Sequence, residues 1–196
     1  MKFFIADTHF FHEQLLGLSD FAPRPFQTIE EMNEKIIESW NAVVEEKDTV
    51  YHLGDIAMHP DYDRGNPEVF QLLKRLTGKI VFIKGNHDTS KLFSYLKQQD
   101  MEEKFEFHEV GARIKFNHHQ YFMTHSPLLL GQSVNSRNLH GHIHHYSMPL
   151  GDTINVGVDA PERDLLSRKI PFGTPLSENQ IDEIGSEKIK QLEKLQ

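Results

Sequence analysis

Nine side chains of types that hold metal ions or move protons fall in five short clusters along this sequence. Asp7-Thr8-His9, Gly54-Asp55, Gly85-Asn86-His87-Asp88, Thr124-His125 and Gly141-His142-Ile143-His144 each come close behind an apolar run. Their donors are carboxylate, amide oxygen and imidazole. With no sulfur among them, the set suits manganese, iron, zinc or magnesium. Seven of these residues, Asp7, His9, Asp55, Asn86, His125, His142 and His144, read as ligands. A single catalytic zinc takes three protein ligands and keeps a position open. Seven suit two ions about 3.5–4 Å apart, with one carboxylate bridging them.

Taken singly, the clusters say little. Asp-x-His is often a helix cap or turn, and Gly-Asn-His-Asp is rich in turn formers. His142-x-His144 says more, because alternate residues of a strand point to one side. The order carries the weight. Five apolar runs are each followed by metal-capable groups, and ligands in open α/β sheets bind beyond the carboxyl ends of strands.

Those runs define the elements expected to position the site. Lys2–Ala6 reads as a buried strand. Thr28-x-x-Glu31 has the form of a capping box, opening a helix whose Ile29, Met32, Ile36, Trp40 and Val43 share one face. Thr49–Leu53 is the next strand. Asn66-Pro67 opens a second helix, carrying Val69, Leu72, Leu73 and Leu76 and closed by Gly78. Lys79–Ile83 is the third strand. This β-α-β-α-β order predicts neighbouring strands joined by helical crossovers. Lys104–Val110, Ala112–Phe116 and Gln120–Thr124 read as consecutive short strands with turns at Gly111 and Asn117. Further strands are expected around Leu139 and at Thr153–Val156. The pattern predicts an α/β fold of layered, mixed sheets. Residues 161–175 read as irregular, and Ser177-x-x-Gln180 as the cap of a last helix with a thin stripe of Ile181, Ile184, Ile189 and Leu192.

Composition narrows the function. The chain has 196 residues, of which 38% are hydrophobic, enough for one domain with a proper core. It has no cysteine, which excludes disulfides, thiolate metal sites and a cysteine nucleophile. The first apolar run is too short for a secretory segment, and no stretch approaches about 18 apolar residues. A cytoplasmic location is the expectation. A net charge of −8 without a basic stripe argues against long nucleic acid as a partner. A small phosphorylated substrate stays compatible, because bound cations supply local positive charge.

Asp7-x-His9, Gly54-Asp55, Gly85-Asn86-His87-Asp88, His125 and Gly141-His142-x-His144, in that order, resemble the calcineurin-like metallophosphoesterase superfamily. Arg24-Pro25-Phe26, the segment Val50–Asp55 and the segment Asn155–Asp159 are similar to a small bacterial and phage branch. The resemblance implies two mixed β-sheets in a sandwich flanked by helices, with the metals at one edge. The expected organisation is a domain over residues 1–160 and a C-terminal extension over 161–196 that packs on it through the apolar stripe of the last helix. One metal would take Asp7, His9, Asp55 and His144, and the second Asp55, Asn86, His125 and His142. Manganese is the first expectation, with iron, zinc or magnesium as alternatives. His87 would contact the phosphate and assist the leaving group, and Asp88 would orient His87.

The resulting expectation is a phosphodiesterase acting on a small nucleotide-like substrate through hydroxide held between two metals. A phosphomonoesterase and a nuclease share the same ligand set, and a metal-free interaction module is the reading from another class. Around the site, His12, His140 and His145 are candidate outer contacts, and His52 a core or supporting residue. Arg24, Arg137 and Arg163 are candidate phosphate clamps.

Overall fold

The computed structural model describes residues 1–17, 22–61, 64–131 and 133–194. Strands β1 (Lys2–Ile5), β2 (Thr49–His52), β3 (Lys79–Ile83) and β4 (Phe105–His108) lie parallel in the order β4-β3-β2-β1, and β9 (Leu176–Ser177) adds an antiparallel edge. Helices α1 (Ile29–Asn41), α2 (Gly65–Lys74) and α3 (Ser90–Lys97) make the crossovers. The second sheet, β5 (Gly111–Phe116), β6 (His119–Thr124), β7 (Ser136–His140) and β8 (Thr153–Asn155), pairs β5 antiparallel to β6 and the rest parallel. The outcome is the expected sandwich of two mixed sheets with flanking helices.

Strand β1 shows why the layers form. Phe3 and Ile5 face a core shared with Met32, Ile36 and Trp40 of α1, while Phe4 and Ala6 face Met123, Leu139 and Ile154 of the second sheet. A strand buried on both faces needs apolar residues at every position, which is what the run at Lys2–Ala6 supplies. All of these side chains are at most 5% exposed. Fully burying each large one contributes roughly 1.5–3 kcal/mol.

Some sequence expectations shift. Strand β4 does not form a meander with β5; it pairs in parallel with β3, and the chain then passes to the other sheet at Gly111. Thr28 caps α1 by accepting from the Glu31 amide, but the Glu31 carboxylate reaches the amide of Gln27 instead of closing the box on Thr28. Helix α1 ends at Asn41, so Val44 takes the buried position expected for Val43. Helix α2 starts one residue before Asn66, with Arg64 at its N-cap. Helix α3 lacks a long apolar stripe and was absent from the sequence reading; Thr89 caps it through the Leu92 amide. Within 161–175 the chain makes a 3₁₀ turn at Pro161–Leu165.

The last helix, α4 (Glu178–Glu193), carries the complete capping box expected of Ser177 and Gln180. Ile181 and Ile184 enter the core between the sheets, but Ile189 stays 37% exposed. Lys188 is buried instead. Its Nζ donates to the Thr153 carbonyl at 2.9 Å and to Glu162 at 2.7 Å. Among the described residues, no helix is long and apolar enough to cross a membrane.

Candidate metal centre

The carboxyl ends of β1, β2, β3, β6 and β7 open onto one edge, where the sheets meet through a bridge between Ala6 and Gly157. Asp7 follows β1, Asp55 follows β2, Asn86 follows β3, His125 follows β6, and His142 and His144 follow β7. The structure therefore brings all seven expected ligands to one place. Six of them fall into two groups, within each of which the donor atoms lie within 4.8 Å of one another, namely Asp7 with His9 and His144, and Asp55 with His125 and His142.

Asp55 joins the groups. Its Oδ2 stands 3.5 Å from His9 Nε2 and 3.4 Å from His125 Nε2, one from each set. Asn86 Oδ1 lies 2.8 Å from both His125 Nε2 and His142 Nδ1. When both nitrogens are unprotonated, these contacts set lone pair against lone pair, an arrangement that a cation between them relieves. His9 Nε2 is buried without a hydrogen-bond partner. A buried nitrogen in that condition costs free energy unless something accepts its lone pair. The donor set and this nitrogen fit divalent metal ions.

Backbone conformation aims the ligands. Asp7, His9, Asp55, His142 and His144 all have positive φ, from 47° to 74°. Non-glycine residues in the left-handed region cost of order 1–3 kcal/mol each and gather at functional sites. The pair His142 and His144 is thus not on a strand, as the His-x-His spacing predicted; both sit in the turn beyond β7. Gly85 lies so close to Asp55 that any Cβ there would strike the carboxylate.

Neighbouring groups hold the ligands. The Asp7 carboxylate accepts from the His142 amide at 3.0 Å, and Asp55 Oδ1 accepts from the His87 amide at 2.8 Å. Asp88, expected to orient the His87 ring, does something else. Its two oxygens accept from the amides of Asp55, Ile56 and Gly85 at 2.8–2.9 Å, tying the second and third loops together. The His87 side chain is exposed, with its ring 5.3 Å from that of His9. His12, 9% exposed, puts its Nδ1 3.1 Å from His9 Nδ1. His52 lies behind the site, with Nε2 2.8 Å from Thr8 Oγ1. His140 is buried beneath it, and His145 turns outward against Tyr146.

The three arginines are not clamps for substrate. Arg24 is fully buried and donates to the carbonyls of Asp7 and Thr8 and to Asp159. Arg163 donates to the carbonyls of Val156, Gly157 and Thr174, and Arg137 lies against α4 near Asp182. Asp159 is the supporting residue that the sequence reading missed. It lies in the Asn155–Asp159 segment, and its Oδ2 accepts from both Arg24 at 3.1 Å and His144 Nδ1 at 3.0 Å.

Charge in the site follows from burial. Burial raises Asp7 to about 7, against the pull of His144 and His125. Burial pulls His9 well below the usual histidine range, with the Arg24 charge adding to it, so its ring is neutral. At His125 burial acts downward, but the Asp55 hydrogen bond and charge outweigh it and lift the ring to about 8. Burial alone would raise Asp159, yet Arg24 and His144 hold it at about 2.

A family model described as calcineurin-like phosphoesterase matches residues 3–192. An uncharacterized protein of Methanocaldococcus jannaschii, MJ1445, is 32% identical over 169 residues, covering 80% of this chain and 81% of the relative. The crystal structure of AQ665, a protein of unknown function from Aquifex aeolicus, superposes with a TM-score of 0.63 at 24% identity. That match covers 94% of this chain and 98% of the other, and it shows a shared fold.

Proposed function

From the premise that the chain belongs to the calcineurin-like phosphoesterase family, and is a metal-dependent phosphoester hydrolase, we propose that it is a two-metal phosphodiesterase acting on a small, nucleotide-like substrate. The observation that carries the two-metal reading is the position of Asp55 Oδ2 between His9 and His125. Asp7, His9, Asp55 and His144 would hold one ion, and Asp55, Asn86, His125 and His142 the other. Divalent cations bound there supply Lewis-acid activation of water and of the phosphoryl oxygens, and manganese suits these oxygen and nitrogen donors.

The chain's own residues do the rest. Asp88 and the His87 amide fix Asp55 from two sides, so the shared carboxylate is set before substrate arrives. The His142 amide does the same for Asp7. Such preorganisation lowers the reorganisation needed as charge builds during displacement at phosphorus. The exposed His87 ring beside His9 is placed to act as general acid toward the departing oxygen. A net charge of −8 disfavours long nucleic acid and leaves a small phosphate ester as the better substrate.

Hydrolysis of bis-4-nitrophenyl phosphate with manganese supplied, and not of oligonucleotides, is the expected result. Asp55→Asn should abolish it. Cleavage of oligonucleotides at a comparable rate would replace the small-diester reading with a nuclease.

A further inference from the structure

Beside the metal-ligand cluster, on the side of His87, lies a cavity of about 200 Å³. Asn86 and His87 form its inner rim, and its walls come from the segment after β2 and from the starts of α2 and α3. We propose that this cavity receives the leaving alcohol of the ester, and that it selects an uncharged, ring-sized group over an anionic one. The inference rests on the phosphoesterase reading for the identity of the reaction, and on the cavity itself for the selectivity.

Position gives the first half. Asn86 and His87 lie both at the ligand cluster and on the rim of this cavity, so a leaving group on that side of the cluster extends into it. Its volume is below the roughly 300–1,000 Å³ of sites that enclose a whole small-molecule ligand. It therefore suits one part of a substrate.

Charge and shape give the second half. Among the described residues no lysine or arginine lines the cavity, whereas Asp61 does. Ala57, Val69 and Leu92 supply apolar wall, and Asn66 and Thr89 supply uncharged hydrogen-bonding groups. A phosphate or carboxylate on the alcohol would face the Asp61 carboxylate with no lysine or arginine in the wall, and the nearby Arg64 guanidinium is already engaged by Asp61 at 2.7 Å. A neutral ring would find both apolar contact and hydrogen-bond partners.

His59 shapes the wall, and its ring is held at both nitrogens by its neighbours. Nδ1 lies 3.0 Å from the Asp61 amide and 3.1 Å from the Asp61 carbonyl, and Nε2 lies 3.0 Å from a Glu68 carboxylate oxygen. The ring also leans on Phe11, with centroids 4.9 Å apart. Gly65 makes the space: a Cβ there would lie 2.6 Å from His59 Cβ and Cγ and push the ring from its place.

The test uses an isosteric pair, neutral 4-hydroxybenzamide and anionic 4-hydroxybenzoate, titrated onto the metal-free protein while the Met58 methyl and His59 ring signals are followed by NMR. The neutral phenol is expected to shift both signals and to bind about tenfold more tightly than the anion. Asn66→Lys should remove that preference, and Met58→Lys provides the same cation from another wall should the first variant not fold. Gly65→Ala should weaken the neutral phenol about tenfold. The corresponding phosphate esters, as monoesters and methyl diesters with manganese, should show the same order in kcat/KM. Equal binding of the two phenols, or shifts remote from Met58 and His59, would overturn the cavity's role even if the esters are hydrolysed. Selective phenol binding without hydrolysis of any ester would overturn the phosphoesterase reading and leave the cavity's selectivity standing.

Discussion

Asp159 Oδ2 lies 3.0 Å from His144 Nδ1, and this contact decides which ring nitrogen of His144 carries its lone pair. With the Nδ1 proton donated to a carboxylate that Arg24 holds ionised, the neutral ring presents Nε2 to the site. The same Arg24 grips the Asp7 and Thr8 carbonyls, so one buried arginine braces two of the ligand segments through three acceptors.

Asp159→Asn is therefore expected to weaken metal binding about 10–100-fold while the fold persists. Calorimetric titration with manganese, alongside thermal unfolding, separates these effects. Unchanged affinity would mean that His144 is oriented by its backbone alone.

Asp55 and His87 should part company on mutation. Asp55→Asn removes the carboxylate that stands between the two groups and is expected to lose metal. His87→Gln leaves every proposed ligand in place, and should retain metal while turnover falls about 10²–10⁴-fold. Metal analysis of the two purified variants, with kinetics on the same samples, makes the comparison. Equal metal loss in both would remove His87 from the role of proton donor.

Metal loading should depend on pH with a definite sign. Cations bind the deprotonated ligands; burial lifts Asp7 to about 7, and contact with Asp55 lifts His125 to about 8. Affinity is thus expected to rise as pH increases through this window and to level off above it. Titrations in buffers of different ionisation enthalpy should show proton release below pH 8 that disappears at higher pH.

The C-terminal helix offers a stability test away from the site. Lys188 and Glu162 are both at most 5% exposed, and their pair is completed by Thr153 and Ser147. Lys188→Ala would leave the Glu162 charge buried and unmatched, at a cost of about 3–5 kcal/mol in denaturant unfolding. Lys188→Ala with Glu162→Gln together should cost less than the single change.

Much of this was legible in the residues, and the rest for physical reasons was not. Alternation-free apolar runs identified β1 and β3, because strands buried on both faces need no polar positions, whereas β2 alternates between buried and half-buried residues. The ligands were legible because of their types and order and because Asp7 and Asn86 follow such runs; those after β6 and β7 follow strands with polar positions. The conformation of His142 and His144 was not: spacing of two suggests a strand, and only the three-dimensional turn reveals positive φ at both. Asp88 and the three arginines were misjudged for a related reason, since a charged side chain shows its type in sequence but not whether backbone groups will claim it. Helix α3 was missed because Leu92, Phe93 and Leu96 make too brief a pattern, with Thr89 the one usable start signal. Asp159 had a signal in its short motif, yet nothing there named His144 as its partner.

The most direct measurement is the number of divalent ions per chain after manganese loading, compared between wild type and Asp55→Asn by elemental analysis. Two per chain in the wild type, falling below one in the variant, is the expected result. One ion per chain in a fully active wild type, or two retained by Asp55→Asn, would contradict a carboxylate shared between two metals.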